Sequence, residues 1–130
     1  MSDEKKSAKE LLAEANSQIE QMSAADAICR FGDENIVFVD VRETGEAEQG
    51  IIPGAEHAPR GMLEFIVDPD GPVHRNVFAK DKKFVFYCGS GGRSALAGAT
   101  ARRMGLKSVA HIPGGFPAWK EAGGPVGNKS

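Results

Sequence analysis

A chain of 130 residues with 41% hydrophobic and 26% charged side chains has the length and composition of one ordinary globular domain, able to bury a core without disulfide or metal staples. Its net charge of −2, with both signs interspersed, supplies no basic stripe for nucleic acid, and no stretch approaches the roughly 20 apolar residues needed to span a bilayer. Met1 to Ser7 is charged and leads into no apolar secretory run, so a cytoplasmic location is expected.

From Ser7 to Met22 the apolar positions Leu11, Leu12, Ala15, Ile19 and Met22 recur at helical spacing among polar residues, which predicts an amphipathic helix. This segment, residues 1–22, reads as an added arm before a domain of residues 23–130. Ser23, with Asp26 three residues on, has the form of an N-cap, and a short helix through Cys29 closed by Gly32 follows. Ile36 to Val39 is a β-branched and aromatic run ending in Asp40-Val41-Arg42, suited to a strand buried on both faces with polar groups at its carboxyl end. Met62 to Val67 has the makings of a short helix before the turn-rich Asp68-Pro69-Asp70-Gly71-Pro72. Phe84 to Tyr87 and Ser108 to Ile112 repeat the strand pattern, and Ser94 to Met104 between them is a helix stopped by Gly105. Gly114-Gly115 then turns the chain into a last helix around Ala118 to Glu121. Strand, helix, strand predicts an α/β fold: a central, mostly parallel sheet flanked by helices.

The chain has 2 cysteines, too few for a disulfide framework, and 3 histidines with no ligand-like spacing, so no metal is expected. Cys88 directly follows a buried strand and opens Cys88-Gly89-Ser90-Gly91-Gly92-Arg93-Ser94, which runs into a helix. Glycines let successive amides turn toward one centre, and the helix directs its positive end at the same point. Together with Arg93, such a cradle favours a thiolate, the nucleophilic form of cysteine. A cysteine of purely structural use would leave the three glycines, the serine and the arginine without a purpose. Cys29, beside Ile28 in an apolar segment, is expected in the core. The loop lacks the lysine of a phosphate-binding P-loop and the third glycine of a dinucleotide loop. Nothing in the sequence brings His57 or His111 to Cys88, as a Cys-His hydrolase would need.

Cys-x-x-Gly-x-Arg-Ser, as it stands from Cys88 to Ser94, resembles the active-site loop of rhodanese-homology domains. Asp40-Val41-Arg42, Gly50-Ile51-Ile52-Pro53-Gly54-Ala55 and Pro59-Arg60-Gly61 resemble that family's amino-terminal signature, and Gly114-Gly115-Phe116-Pro117-Ala118-Trp119 its carboxyl-terminal one. The resemblance implies a three-layer rhodanese-like domain in which Cys88 takes sulfane sulfur from thiosulfate or a similar small anionic donor. The sulfur then passes to cyanide or a thiol. No cofactor is implied beyond the covalent persulfide. The amides of Gly89, Ser90, Gly91, Gly92 and Arg93 would hold the sulfur, with Ser94 also among the substrate-binding residues and the Arg93 side chain either entering the pocket or bracing the loop. Arg60 would attract the donor at the rim or stand as a solvated surface residue. Asp40 and Arg42 would bind each other or tie the first strand to the loop, and Trp119 would anchor the core. Ala47 and Ile51 depart from the family pattern, which often has an aromatic and a histidine at these places.

Two rival functions follow from the same residues. A cysteine-dependent phosphatase or arsenate reductase uses a related cradle with five residues between cysteine and arginine. Here four intervene, a ring better sized for one sulfur. A non-catalytic interaction module would use the helix from Ser7 to Met22 as a docking or homodimer arm; if that arm mediates self-association, deletion through Met22 should change the sedimentation mass while leaving sulfur transfer largely intact.

Overall fold

The computed structural model describes residues 5–129, in the order α1 (Ala8–Gln18), β1 (Glu20–Gln21), α2 (Ala24–Cys29), β2 (Ile36–Asp40), α3 (Thr44–Ala47), β3 (Glu56–His57), α4 (Leu63–Val67), β4 (Lys83–Tyr87), α5 (Gly92–Arg103), β5 (Ser108–His111) and α6 (Gly115–Glu121). Short 3-10 turns at Arg60–Met62 and Asn76–Ala79 lead into α4 and toward β4. The five strands form one sheet, ordered β1-β5-β4-β2-β3, in which every neighbouring pair is parallel.

Alternation along the strands sorts the core into two faces. Val39, Val41, Phe84, Phe86, Cys88 and Val109 face Leu63, Ile66 and Val67 of α4 and Ala97 and Ala101 of α5. Ile36, Phe38, Val85, Tyr87, Ala110 and Ile112 face Ala27 of α2 and Phe116 and Trp119 of α6. The result is three layers with the sheet in the middle. Each fully buried large side chain here contributes about 1.5–3 kcal/mol. Trp119 is such an anchor: it is fully buried, edge-on to Phe31 and Phe38, and its Nε1 donates to the Pro125 carbonyl at 2.7 Å.

Three expectations are corrected. The first helix, started by a Ser7–Glu10 capping box, stops at Gln18 instead of Met22. Residues Glu20–Gln21 leave it to add an edge strand beside β5, and Ile19 and Met22 are buried in the two cores. The segment read as an added arm is therefore built into the sheet. Its Leu12 and Ala15 pack with Ala95, Leu96 and Ala99 of α5, leaving Leu11 exposed. Cys29, expected in the core, is exposed, because α2 turns Ala24, Ala27 and Ile28 inward and Cys29 falls on the opposite side. Finally, α5 begins at Gly92, so the glycine loop supplies the helix's own first turn.

Candidate active site

The parity that sends Phe84 and Phe86 toward α5 does the same for Cys88, one residue past β4. The thiol has no exposed surface, although the loop rim at Ser90 is exposed. The chain then reverses direction at Gly91, whose φ of 97° is left-handed, and enters α5. A glycine is required there for two reasons. Left-handed backbone is costly for other residues, and a Cβ would lie 2.0 Å from the Pro113 carbonyl oxygen. Gly115, at φ 66°, is held by a second close approach between the same two stretches: its Cβ would lie 2.5 Å from the Cys88 carbonyl oxygen. Phe116 N–H donates to that carbonyl at 2.8 Å, so the Gly114-Gly115 turn and the cysteine loop are clamped together.

Around Sγ part of the expected cradle is formed, the amides of Gly89, Gly92 and Arg93 making no hydrogen bond to it. The amide of Gly91 donates at 3.1 Å and that of Ser94 at 3.4 Å, and the Ser94 hydroxyl stands 3.5 Å away. Burial alone pushes the Cys88 thiol up, but the Ser94 hydroxyl and the amides of Ser94, Ser90 and Gly91 more than offset it. Its titration falls below the ordinary thiol value. The amino-terminal end of the twelve-residue α5 adds its dipole in the same sense.

Arg93 takes the second of its two expected roles. Its guanidinium donates to both carboxylate oxygens of Glu46 on α3, at 2.7 and 3.0 Å, and folds over Gly89. That bidentate grip draws the Glu46 carboxyl down to about 2. Asp40 and Arg42, both buried, bind each other through three side-chain contacts of 2.7 to 3.2 Å and a fourth from the Arg42 amide at 2.9 Å. Arg42 also donates to the Gly50 carbonyl and lies over the Phe116 ring at 4.5 Å, tying the end of β2 to the segment before β3 and to α6. Arg60 reaches Glu64 at 3.0 Å and Thr100 of α5 at 3.4 Å, and none of its hydrogen bonds goes to the loop from Cys88 to Ser94.

The structure corrects the expectation that left His111 away from Cys88, because sheet pairing sets β5 beside the end of β4. His111, on β5, lies on the Cys88 face of the sheet and meets the Ser94 hydroxyl with Nδ1 at 2.9 Å. Its Nε2 meets Asn16 Oδ1 at 3.0 Å and Gln21 Oε1 at 2.9 Å, both from the amino-terminal segment. Burial holds its imidazole down to about 4, which keeps it neutral near neutral pH. The alternation of Ser108 to Ile112 was the available signal: Val109 and His111 share a face with Phe86 and Cys88.

Among the described residues no group of three or more His, Cys, Asp or Glu side chains could hold a metal ion, and no helix is long and apolar enough to cross a membrane. Residues 23–122 match the family described as rhodanese-like domain. The chain belongs to the rhodanese-like family. It is 33% identical over 93 residues to a sulfurtransferase of Allochromatium vinosum, covering 72% of this chain and 79% of that one. The human single-domain sulfurtransferase superposes with a TM-score of 0.66 at 25% identity, covering 78% of this rhodanese-like chain and 95% of the human one. A Rhodopseudomonas palustris protein, described as of unknown function and a possible tyrosine phosphatase, superposes with a TM-score of 0.92 at 51% identity, covering 98% of each chain. At the level of the family, the sulfurtransferase relatives support rhodanese-type sulfur transfer.

Proposed function

We propose that this rhodanese-like chain is a sulfurtransferase whose Cys88 carries sulfur as a persulfide between a small anionic donor such as thiosulfate and a nucleophilic acceptor. The observation that carries the reading is the convergence of the Gly91 and Ser94 amides on Sγ, at 3.1 and 3.4 Å, at the mouth of a helix. In the first half-reaction the Cys88 thiolate attacks the sulfane sulfur of thiosulfate. A new S–S bond forms, the donor's S–S bond breaks, and sulfite leaves with the bonding electron pair. In the second, a thiolate or cyanide attacks the outer sulfur and the Cys88 thiolate departs, leaving a persulfide or thiocyanate. Both half-reactions begin or end on an anion at the same place, so amides fixed on that place lower both barriers.

The loop length supports sulfur over phosphate. Only Gly89, Ser90, Gly91 and Gly92 separate Cys88 from Arg93, and Arg93 is engaged with Glu46. A phosphatase cradle needs a wider ring and an arginine free to bind the equatorial oxygens. The donor is expected to enter past the exposed Ser90 rim, since Sγ itself is covered.

The test is intact-mass spectrometry. Incubation with thiosulfate should add one sulfur atom, cyanide should remove it, and Cys88→Ser should take up none. Turnover of an aryl phosphate that is lost in Cys88→Ser, without sulfur uptake by the unaltered protein, would replace this function with the phosphatase one.

A further inference from the structure

We propose that His111 is a positioning residue for Cys88, drawing the thiol proton through the Ser94 hydroxyl, and that Asn16 and Gln21 set its tautomer for that task. The inference rests on Cys88 being the reacting group. It begins with Gln21. The Gln21 amide nitrogen donates to the backbone carbonyls of Asn16 and Ile19, at 3.1 and 3.3 Å, so its oxygen is the atom turned to His111. An imidazole nitrogen facing an amide oxygen at 2.9 Å must be a donor, which places the single proton of the neutral ring on Nε2. Asn16 Oδ1, at 3.0 Å, receives the same proton.

Nδ1 is then an acceptor, and its 2.9 Å partner, the Ser94 hydroxyl, donates to it. Ser94 has one proton, and of its two acceptors His111 Nδ1 at 2.9 Å is nearer than the Gly91 carbonyl at 3.3 Å. With that proton committed to His111, the lone pairs of Ser94 Oγ face Cys88 Sγ at 3.5 Å, in place to receive the thiol hydrogen. The step balances without an outside base. The S–H bond breaks as its proton moves to Ser94 Oγ, the former hydroxyl proton moves to Nδ1, and the products are a Cys88 thiolate and a His111 imidazolium. The hydroxyl now donates to the thiolate, and the Gly91 and Ser94 amides receive the charge. Return of the proton by the same path resets the site.

No charged side chain competes for His111. On α1, Glu10 is bound to the Ser7 amide and Glu14 to Lys6. On the flanking strands Glu20 of β1 pairs with Lys83 of β4. On α5, Arg93 pairs with Glu46 and Arg102 donates to the Gln18 carbonyl, while Arg103 lies on the exposed side. The ionisable group that the hydrogen-bond chain does reach is Cys88. Residues 7–22, outside the stretch that matches the family, thus complete the environment of its cysteine.

The tests use the full chain. Imidazole nitrogen NMR should show a protonated Nε2 and a bare Nδ1 on His111 at neutral pH; the opposite tautomer would overturn the proposal without any substitution. The second readout is alkylation of Cys88 by iodoacetamide as a function of pH, followed on the Cys88 peptide because Cys29 is a second, exposed thiol. An internal thiolate–imidazolium equilibrium does not depend on pH. The wild-type rate should therefore fall with the thiol titration and then level off once the pH drops below the point at which the His111 imidazolium beside the thiolate releases its proton, staying level down to about 4, where His111 is protonated beside the neutral thiol. In Ser94→Ala and in His111→Asn, which keeps an acceptor for Ser94 but takes no proton, the rate should instead fall about tenfold per pH unit. The double variant should match Ser94→Ala. A wild-type rate that falls as steeply, or a His111→Asn effect undiminished in the Ser94→Ala background, would refute the relay. Loss of thiosulfate uptake with this profile intact would remove the sulfur-transfer reading and leave the relay standing.

Discussion

Replacing Gly91 by alanine tests the cradle by adding one methyl group. The new Cβ would sit 2.0 Å from the Pro113 carbonyl oxygen, a backbone atom held by its neighbours: Ile112 N–H is bonded to Phe86, and Phe116 N–H to Cys88. Relief therefore takes a displacement of about 1 Å or more, reckoned against an ordinary C···O contact of roughly 3.3 Å. That movement takes the Gly91 amide out of reach of Sγ, now 3.1 Å away. A hydrogen bond to a charged group contributes about 1.5–3 kcal/mol, and about 1.4 kcal/mol corresponds to one pH unit. The midpoint of Cys88 alkylation should consequently rise by about one to two pH units. The left-handed φ of 97° adds about 1–2 kcal/mol of strain to the folded state. The assay is the iodoacetamide rate against pH, alongside a urea denaturation curve. An unmoved alkylation midpoint in a folded Gly91→Ala protein would show that the amide does not hold the thiolate, and the reasoning from cradle to reactivity would fail.

Two further outcomes are expected. His111 titrates near 4 when folded and near 6.5 when exposed in the unfolded chain. Below 6.5 the unfolded state takes up a proton that the folded state refuses, so stability should fall as pH drops from 6.5 toward 4 and flatten below that, by about 3 kcal/mol in total. Urea denaturation across this range should show the loss, and His111→Asn should abolish it; an unchanged slope in the variant would assign the loss elsewhere. Deleting residues through Met22 removes β1 and the buried Ile19 and Met22. At about 1.5–3 kcal/mol for each side chain the loss is roughly 3–6 kcal/mol, a large part of the stability of an ordinary domain. The truncated chain should therefore melt far lower, and an unaltered melting temperature would return the segment to the status of an added arm.

The strands that carry the site were legible because they are buried on both faces. Ile36 to Val39 and Phe84 to Tyr87 are apolar or aromatic throughout, Ser108 to Ile112 is a weaker copy with Ser108 exposed and His111 polar, and the helix between the last two is followed by a glycine. β1 and β3 were missed for the opposite reason: each has two residues, none of them buried, so neither has a pattern to read. The end of α1 was misread because Ala15, Ile19 and Met22 satisfy helical spacing while the chain has already become extended. Cys29 was judged by its neighbour Ile28 when the face of the helix decides. At the site, Cys88 and its loop stood out because their chemistry is contiguous in the chain. His111, Asn16 and Gln21 did not, because only sheet pairing brings β1, β5 and the end of β4 side by side.

The mutual clamp of Gly91 on Pro113 and Gly115 on Cys88 makes two distant stretches of sequence a single steric unit. Neither can drift on its own: a side chain at position 91 would demand a rebuilt backbone at 113, and one at position 115 a rebuilt backbone at 88 and 89. Anyone transplanting the cysteine loop into a different parallel sheet would have to carry the glycine turn after the next strand along with it, or receive a loop of the right composition in the wrong shape.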